Sequence, residues 1–290
     1  MYDHQWGPLK LRHKNKPLFL GRIRSLRRTS LYSLEFFQLP VPYYIYQEYI
    51  DCGTLRDYIL RNYQKRRQSQ ISSRGSLNEN KVENKSKVSL TAFSLDACEG
   101  MSFLALHKFR HPALNSCKVL LTKALTCKLY DFVHEDTSDD RVQHILEQKN
   151  APIAWLPPET IFFHQYSEQA DVWSLAVLLW EIYSLGDIPY AGLKSEDIEK
   201  KIRNGTYLSQ PLHCPGGVFG MMLASWDISP QKRPIFENFA EALRKILLSL
   251  KEQHSESGGN AGLTVDPTYF TLDESQGHND YEDCSFKSLS

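Results

Sequence analysis

Two short stretches of this 290-residue chain hold residues whose types and spacing bear on chemistry: His111-Pro112-Ala113-Leu114, with Lys118 just beyond, and Lys128-Leu129-Tyr130-Asp131-Phe132-Val133. The Ala113 methyl cannot accept a proton or orient a nucleophile. The Lys118 ammonium donates hydrogen bonds and repels divalent cations instead of ligating them. Asp131 is the one carboxylate of the second stretch, able to bind a metal or to pair with a cation. No G-x-G-x-x-G phosphate loop occurs anywhere in the chain. The six cysteines are scattered, with no C-x-x-C pair and no His-rich neighbour, so neither a zinc site nor a disulfide framework is expected. Lys plus Arg equals Asp plus Glu at 34 each, which leaves no global pull towards nucleic acid or an anionic membrane. Binding must come from local sites.

A longer series of motifs has the character of scaffold. It begins with Ala154-Trp155-Leu156-Pro157-Pro158-Glu159 and continues with Asp171-Val172-Trp173-Ser174 and Leu178-Leu179-Trp180-Glu181-Ile182. Gly186, Pro189-Tyr190 and Lys232-Arg233-Pro234 complete it. In this order the motifs resemble the C-terminal lobe of the protein tyrosine kinases, and the resemblance runs from about Arg12 to Leu250. It is nearest to receptor tyrosine kinases with a split domain, because a polar insert separates the helix after the hinge from the next long helix. The fold class implied is α+β: a protein-kinase-like bilobal fold with a truncated N-terminal β-lobe and a mainly helical C-terminal lobe.

Within that resemblance, Tyr44 to Ile50 is similar to the fifth strand and hinge. Gln47 then takes the gatekeeper position, and Glu48, Tyr49 and Ile50 are hinge residues whose backbone would meet adenine. Arg12-His13-Lys14-Asn15 resembles the turn between the regulatory helix and the fourth strand, so the start of the lobe is expected to be missing, and with it the phosphate loop and the strand lysine. Asp3 either aligns with the regulatory-helix glutamate or is an exposed acid, and Gly7-Pro8 would disturb a helix there.

Where the family has His-Arg-Asp-Leu and, after four intervening residues, a metal-binding Asn, this chain places Ala113 at the catalytic base and Lys118 at the Asn. Pro112 replaces the arginine that receives an activation-segment phosphate. Asp131 keeps the metal-binding position of Asp-Phe-Gly, while Val133 replaces the glycine. Two readings of Asp131 stay open: residual nucleotide binding with the Lys118 ammonium in the metal's place, or an ion pair that shapes the loop. No catalytic residue, cofactor or metal is therefore expected beyond residual ATP binding. The resemblance also implies a buried Glu159–Arg233 ion pair and an Asp171 that accepts backbone hydrogen bonds from the catalytic loop. Trp155, Trp173, Trp180 and Trp226 are expected in the core.

These residues need elements to position them. Residues 17–23 and 43–50 are aromatic and branched runs that predict a small antiparallel sheet. Thr54 is a candidate N-cap for a helix through Leu55, Tyr58 and Ile59. Leu90, Phe93, Ala97, Met101, Leu104 and Ala105 recur at the helical period, and residues 172–185 read as a helix apolar nearly all round. Further helices are expected at 196–203, 218–226 and 236–250. The expected organisation is an N-lobe remnant over 1–50, a post-hinge helix over 51–67, a disordered insert over 68–88, the C-lobe over 89–252 and a disordered acidic tail over 253–290.

The apolar run at 172–185 carries Glu181 and is shorter than the ~20 residues of a membrane span. The first residues lack the pattern of a signal peptide. The expected location is cytoplasmic, membrane-associated only as part of a longer receptor. Between Val133 and Pro158 there is no tyrosine, whereas Tyr269 and Tyr281 stand in acidic contexts of the tail. Phosphate on either would suit an SH2-type module, and an unmodified acidic tail is the other reading. The function expected is that of a catalytically inactive binding or scaffold module in receptor-type signalling, with signalling proteins and an active tyrosine kinase as partners. The alternative is a truncated transmembrane receptor tyrosine kinase with an atypical catalytic loop.

Overall fold

The computed structural model describes residues 49–50, 52–64 and 79–256. From Ile50 onward these belong to one compact unit. The sheet expected at 17–23 and 43–50, Asp3, Gln47 and Glu48 lie outside the described residues, as do Tyr269 and Tyr281 of the tail.

Helix α1 (Leu55–Ile59) starts at a reciprocal cap, in which Asp57 N–H donates to the Thr54 side chain and the Asp57 carboxylate accepts from the Thr54 backbone. Leu55 and Ile59 are fully buried, and a π-helical turn (Leu60–Gln64) continues the segment. Helix α2 (Glu79–Leu106) buries Leu90, Phe93, Ala97, Met101 and Leu104. Its start corrects the expected insert, because residues 79–88 are helical while residues 65–78 lie outside the described set. The polar composition of 79–88 includes good helix formers, Glu and Lys. Extending a helix already nucleated by the buried face costs far less than starting one.

After α2 the chain makes two short antiparallel ladders. Strand β1 (Phe109–Arg110) pairs with β4 (Val133–His134), and β2 (Val119–Leu121) pairs with β3 (Cys127–Leu129), with Val119 opposite Leu129. The loop 111–118 is thereby tied at both ends, and 130–132 is tied directly beside it. Helix α3 (Ser138–Leu146) follows, then α4 (Pro158–Phe163) and the central helix α5 (Glu168–Tyr183). Thirteen of the sixteen residues of α5 are buried, which is why its sequence shows no polar face.

Helix α5 ends through Leu185 and Gly186, both at positive φ, with Gly186 N–H donating to the Glu181 carbonyl at 2.8 Å. A Cβ at Gly186 would lie 2.9 Å from Leu60 Cδ2. Gly186→Ala is therefore expected to destabilise the protein by ~1–2 kcal/mol, from backbone strain and crowding together. Urea unfolding measures this, and a variant that unfolds like the parent would refute it.

Helix α6 (Ser195–Arg203) buries Ile198 and Ile202 and carries acids in its first turn and bases in its last, matching the helix dipole. Helices α7 (Gly216–Ser225) and α8 (Phe236–Glu256) complete the lobe, α8 lying along α2. Helix α8 runs four residues past the expected boundary at 252. No helix among the described residues is long and apolar enough to cross a membrane.

Candidate functional site

The two ladders bring loop 111–118 and the segment around Asp131 together. Lys118 Nζ lies 2.9 Å from Asp131 Oδ2 and donates to the Pro112 carbonyl at 3.1 Å. Arg141, on α3, places Nη2 2.8 Å from Asp131 Oδ1. Each carboxylate oxygen of Asp131 therefore faces its own cation. Burial alone would raise the Asp131 carboxyl, but the Lys118 ammonium and the Arg141 guanidinium outweigh it and hold the group below the usual carboxylate range. Phe132 packs edge-on against Phe109, with ring centroids 5.4 Å apart, and so anchors the residue beside Asp131.

Ala113 is fully buried at φ +58 and Asp131 sits at φ +66, both in the left-handed region. Asp tolerates that region better than Ala because its side chain can bond locally. Loop 111–118 thus keeps, at Ala113, a backbone shape that a methyl does nothing to favour. Asn115 stabilises the loop instead: its Oδ1 accepts from Cys117 N–H at 3.0 Å, and its Nδ2 donates to the Ala113 carbonyl at 3.1 Å.

The scaffold residues surround this loop. Asp171, fully buried on α5, accepts from His111 N–H at 3.0 Å and from the Tyr166 hydroxyl at 2.5 Å, both on Oδ1. Of the backbone bonds expected from the loop, one is present, and the second donor is a tyrosine. Burial pushes the Asp171 carboxyl up to about 7. The fully buried His111 imidazole is pushed down to about 3, by burial first and the Lys118 ammonium second. The Asp131 carboxylate first, and then the carbonyls of His111 and Tyr130, favour its charged form without reversing the shift.

Glu159 and Arg233 form a two-pronged ion pair, Nη1 to Oε1 at 2.6 Å and Nη2 to Oε2 at 2.8 Å. Arg233 also donates to the carbonyls of Gln169 at 2.8 Å and Asp227 at 2.9 Å, and its guanidinium lies 5.1 Å over the Trp173 ring. Its side chain is 0% exposed, whereas that of Glu159 is 12% exposed. Trp155, Trp173 and Trp226 are buried, and the half-buried Trp180 donates to the Ser209 carbonyl. At the hinge positions, Tyr49 is exposed and Ile50 buried.

Four residues of this arrangement carry weight that motif reading overlooked: Arg141, Asn115, His111 and Glu181. The buried Glu181 carboxylate accepts from Ser116 N–H at 3.0 Å, Ser116 Oγ at 2.8 Å and Trp155 Nε1 at 3.0 Å. Arg56 of α1 approaches it at 3.6 Å. It joins α1, the catalytic-loop region and the segment before α4 in one knot. The available signal was a lone acid within the apolar run 172–185, which costs too much to bury unless several donors converge on it.

The kinase resemblance implies a divalent cation between Asp131 and position 118. The residues do not fit one, because both Asp131 oxygens already face cations and Lys118 brings a charge where the metal would sit. Among the described residues no group of three or more His, Cys, Asp and Glu could hold a metal.

The family model for protein tyrosine and serine/threonine kinases matches residues 23–243. The tyrosine kinase receptor Cad96Ca of Drosophila melanogaster is 30% identical over 211 residues, covering 71% of this chain and 26% of the receptor. Platelet-derived growth factor receptor alpha of Takifugu rubripes is 34% identical over 192 residues, covering 66% and 18%. The tyrosine-protein kinase Fer of Mus musculus is 35% identical over 157 residues, covering 54% and 19%. The chain thus spans about a quarter or less of the length of these relatives. A match over most of its residues, together with the helical lobe and its buried ion pair, makes the chain a member of the protein tyrosine and serine/threonine kinase family, among the tyrosine kinases.

Proposed function

We propose that this chain is a pseudokinase, a tyrosine-kinase-like domain that does not transfer phosphate and serves as a binding or scaffold module in signalling. One observation carries the reading: Asp131 is closed by Lys118 and Arg141 while the neighbouring base position holds Ala113. Proton acceptor and metal ligand fail together, and each loss alone lowers phosphoryl transfer by orders of magnitude. The retained scaffold of Glu159, Asp171 and Arg233 supports a role that depends on shape. Tyr269 and Tyr281 are the proposed attachment points for SH2-type modules after phosphorylation by an active tyrosine kinase, with the cytoplasm as the compartment.

Purified protein with magnesium, ATP and tyrosine peptides is expected to give no transfer above background, and magnesium-ATP should leave its melting temperature nearly unchanged. Transfer that disappears in Asp131→Asn would overturn the proposal. A second reading is favoured by the partial coverage of the two receptors, 26% and 18% of their lengths. On it the chain is one segment of a longer receptor tyrosine kinase with an atypical catalytic loop, and a longer transcript encoding a membrane span and phosphate loop would mark that case.

A further inference from the structure

The stretch between Val133 and Pro158 contains no tyrosine, and Pro112 stands where kinases carry a phosphate-receiving arginine. The start of this stretch is nevertheless tied at several points. Glu135 Oε2 lies 2.9 Å from Arg110 Nη2, and its Oε1 lies 3.4 Å from Lys108 Nζ. Glu135 N–H donates to the Lys108 carbonyl at 2.8 Å, beside the β1–β4 ladder. Ser138 Oγ donates to the Glu135 carbonyl at 2.7 Å and Thr137 Oγ1 to the His134 carbonyl at 3.0 Å, which closes the turn leading into α3. One turn of helix later, Arg141 reaches back to Asp131 at 2.8 Å.

We propose that this segment is set in one conformation by permanent carboxylates, with Glu135 on Arg110 and Lys108 playing the part that a phosphate on an arginine would otherwise play. The Arg141–Asp131 pair is the second fastening. A phosphate orders such a segment by adding a negative charge that cations can grip. Glu135 supplies that charge in the sequence itself, and Arg110, 13% exposed, is better shielded from salt than a surface partner. Segment and catalytic loop are therefore coupled without any modification, whether or not phosphate is ever transferred.

Hydrogen–deuterium exchange on the full chain tests this. Residues 133–146 are expected to be protected in the parent to the same extent before and after phosphatase treatment. Glu135→Lys should raise exchange in 133–146 at least tenfold while α5 stays as in the parent. The combination of Glu135→Lys with Arg110→Glu should recover much of the protection. The milder Glu135→Gln and Arg141→Ala are read alongside, so that global unfolding of the charge-reversal variant does not decide the matter, and each should raise exchange at least threefold. Parent-like exchange in both milder variants overturns the proposal, and so does protection in the parent that is lost on phosphatase treatment. No kinase assay enters, so failure here is separate from failure of the pseudokinase reading.

Discussion

Glu159→Ala is expected to lower the unfolding free energy by ~3–5 kcal/mol, because it leaves a guanidinium with no counter-charge in a site closed to solvent. The exposures decide which partner matters more. Arg233 is the wholly enclosed member of the pair, while Glu159 retains 12% of its surface. The expected ion pair is present, but its two members are not equally enclosed, so losing Glu159 strands the more deeply buried charge. The two remaining carbonyl acceptors, on Gln169 and Asp227, soften the loss of Glu159 without neutralising the charge. Arg233→Met keeps volume beneath Trp173 and lets water reach the part-exposed carboxylate, so it should cost less than Glu159→Ala. Adding Arg233→Met to Glu159→Ala should recover part of the loss, as removing both charges relieves the isolated one. Urea unfolding of the three variants measures this, and a Glu159→Ala protein as stable as the parent would show that the pair contributes nothing.

The scaffold was legible in the sequence where burial imposes a period or a type. Leu90, Phe93, Ala97, Met101 and Leu104 mark one face of α2 because those side chains are buried where the helix packs into the lobe, chiefly along α8 and against α5. Thr54 is readable as a cap because few residue types can satisfy a helix's first N–H groups. The start of α2 at Glu79 was not legible, since Glu, Lys and Asn suit a solvated helix and a disordered chain equally until something nucleates the helix. The end of α8 at Glu256 escaped for the same reason.

At the site, the chemistry of single positions was readable and their partners were not. Ala113 and Lys118 announce a lost base and a lost metal ligand by residue type alone. That Asp131 is held from both sides depends on Arg141, which no spacing rule connects to it, because the contact is made when β4 and the turn at Glu135 fold α3 back. Glu181 is the converse case: its position in α5 was plain, but the donors that justify burying it come from Ser116, Trp155 and Arg56, far apart in sequence.

Replacing His111 is expected to change the acid sensitivity of the fold more than its stability at neutral pH. The His111 imidazole, ordinarily near 6.5, stands at about 3 in the folded protein, with burial the main cause. Between those values the unfolded chain binds a proton that the native state refuses, so this contribution is intact above 6.5 and is lost as pH falls towards 3. Asp171 behaves oppositely. Its carboxyl is raised from 3.8 to about 7, so the stability it contributes is full below 3.8 and is lost as pH rises through 7. Across pH 4 to 6.5 the two slopes oppose one another in the parent. His111→Leu removes one of them and leaves the other in place, because the bond to Asp171 comes from the backbone N–H of residue 111 and not from its ring. The variant should therefore gain on the parent as pH falls, by about 3 kcal/mol between pH 7 and pH 4, at 1.36 kcal/mol per unit. Apart from Asp131, whose carboxyl a charged His111 ring would also lower, the other titrating groups are common to both proteins and largely cancel in the comparison. Unfolding free energies at pH 4, 5, 6 and 7 would be compared pair by pair. A gap that stays constant over that range would mean that His111 takes up a proton without unfolding the lobe, and that its burial is not what opposes its charge.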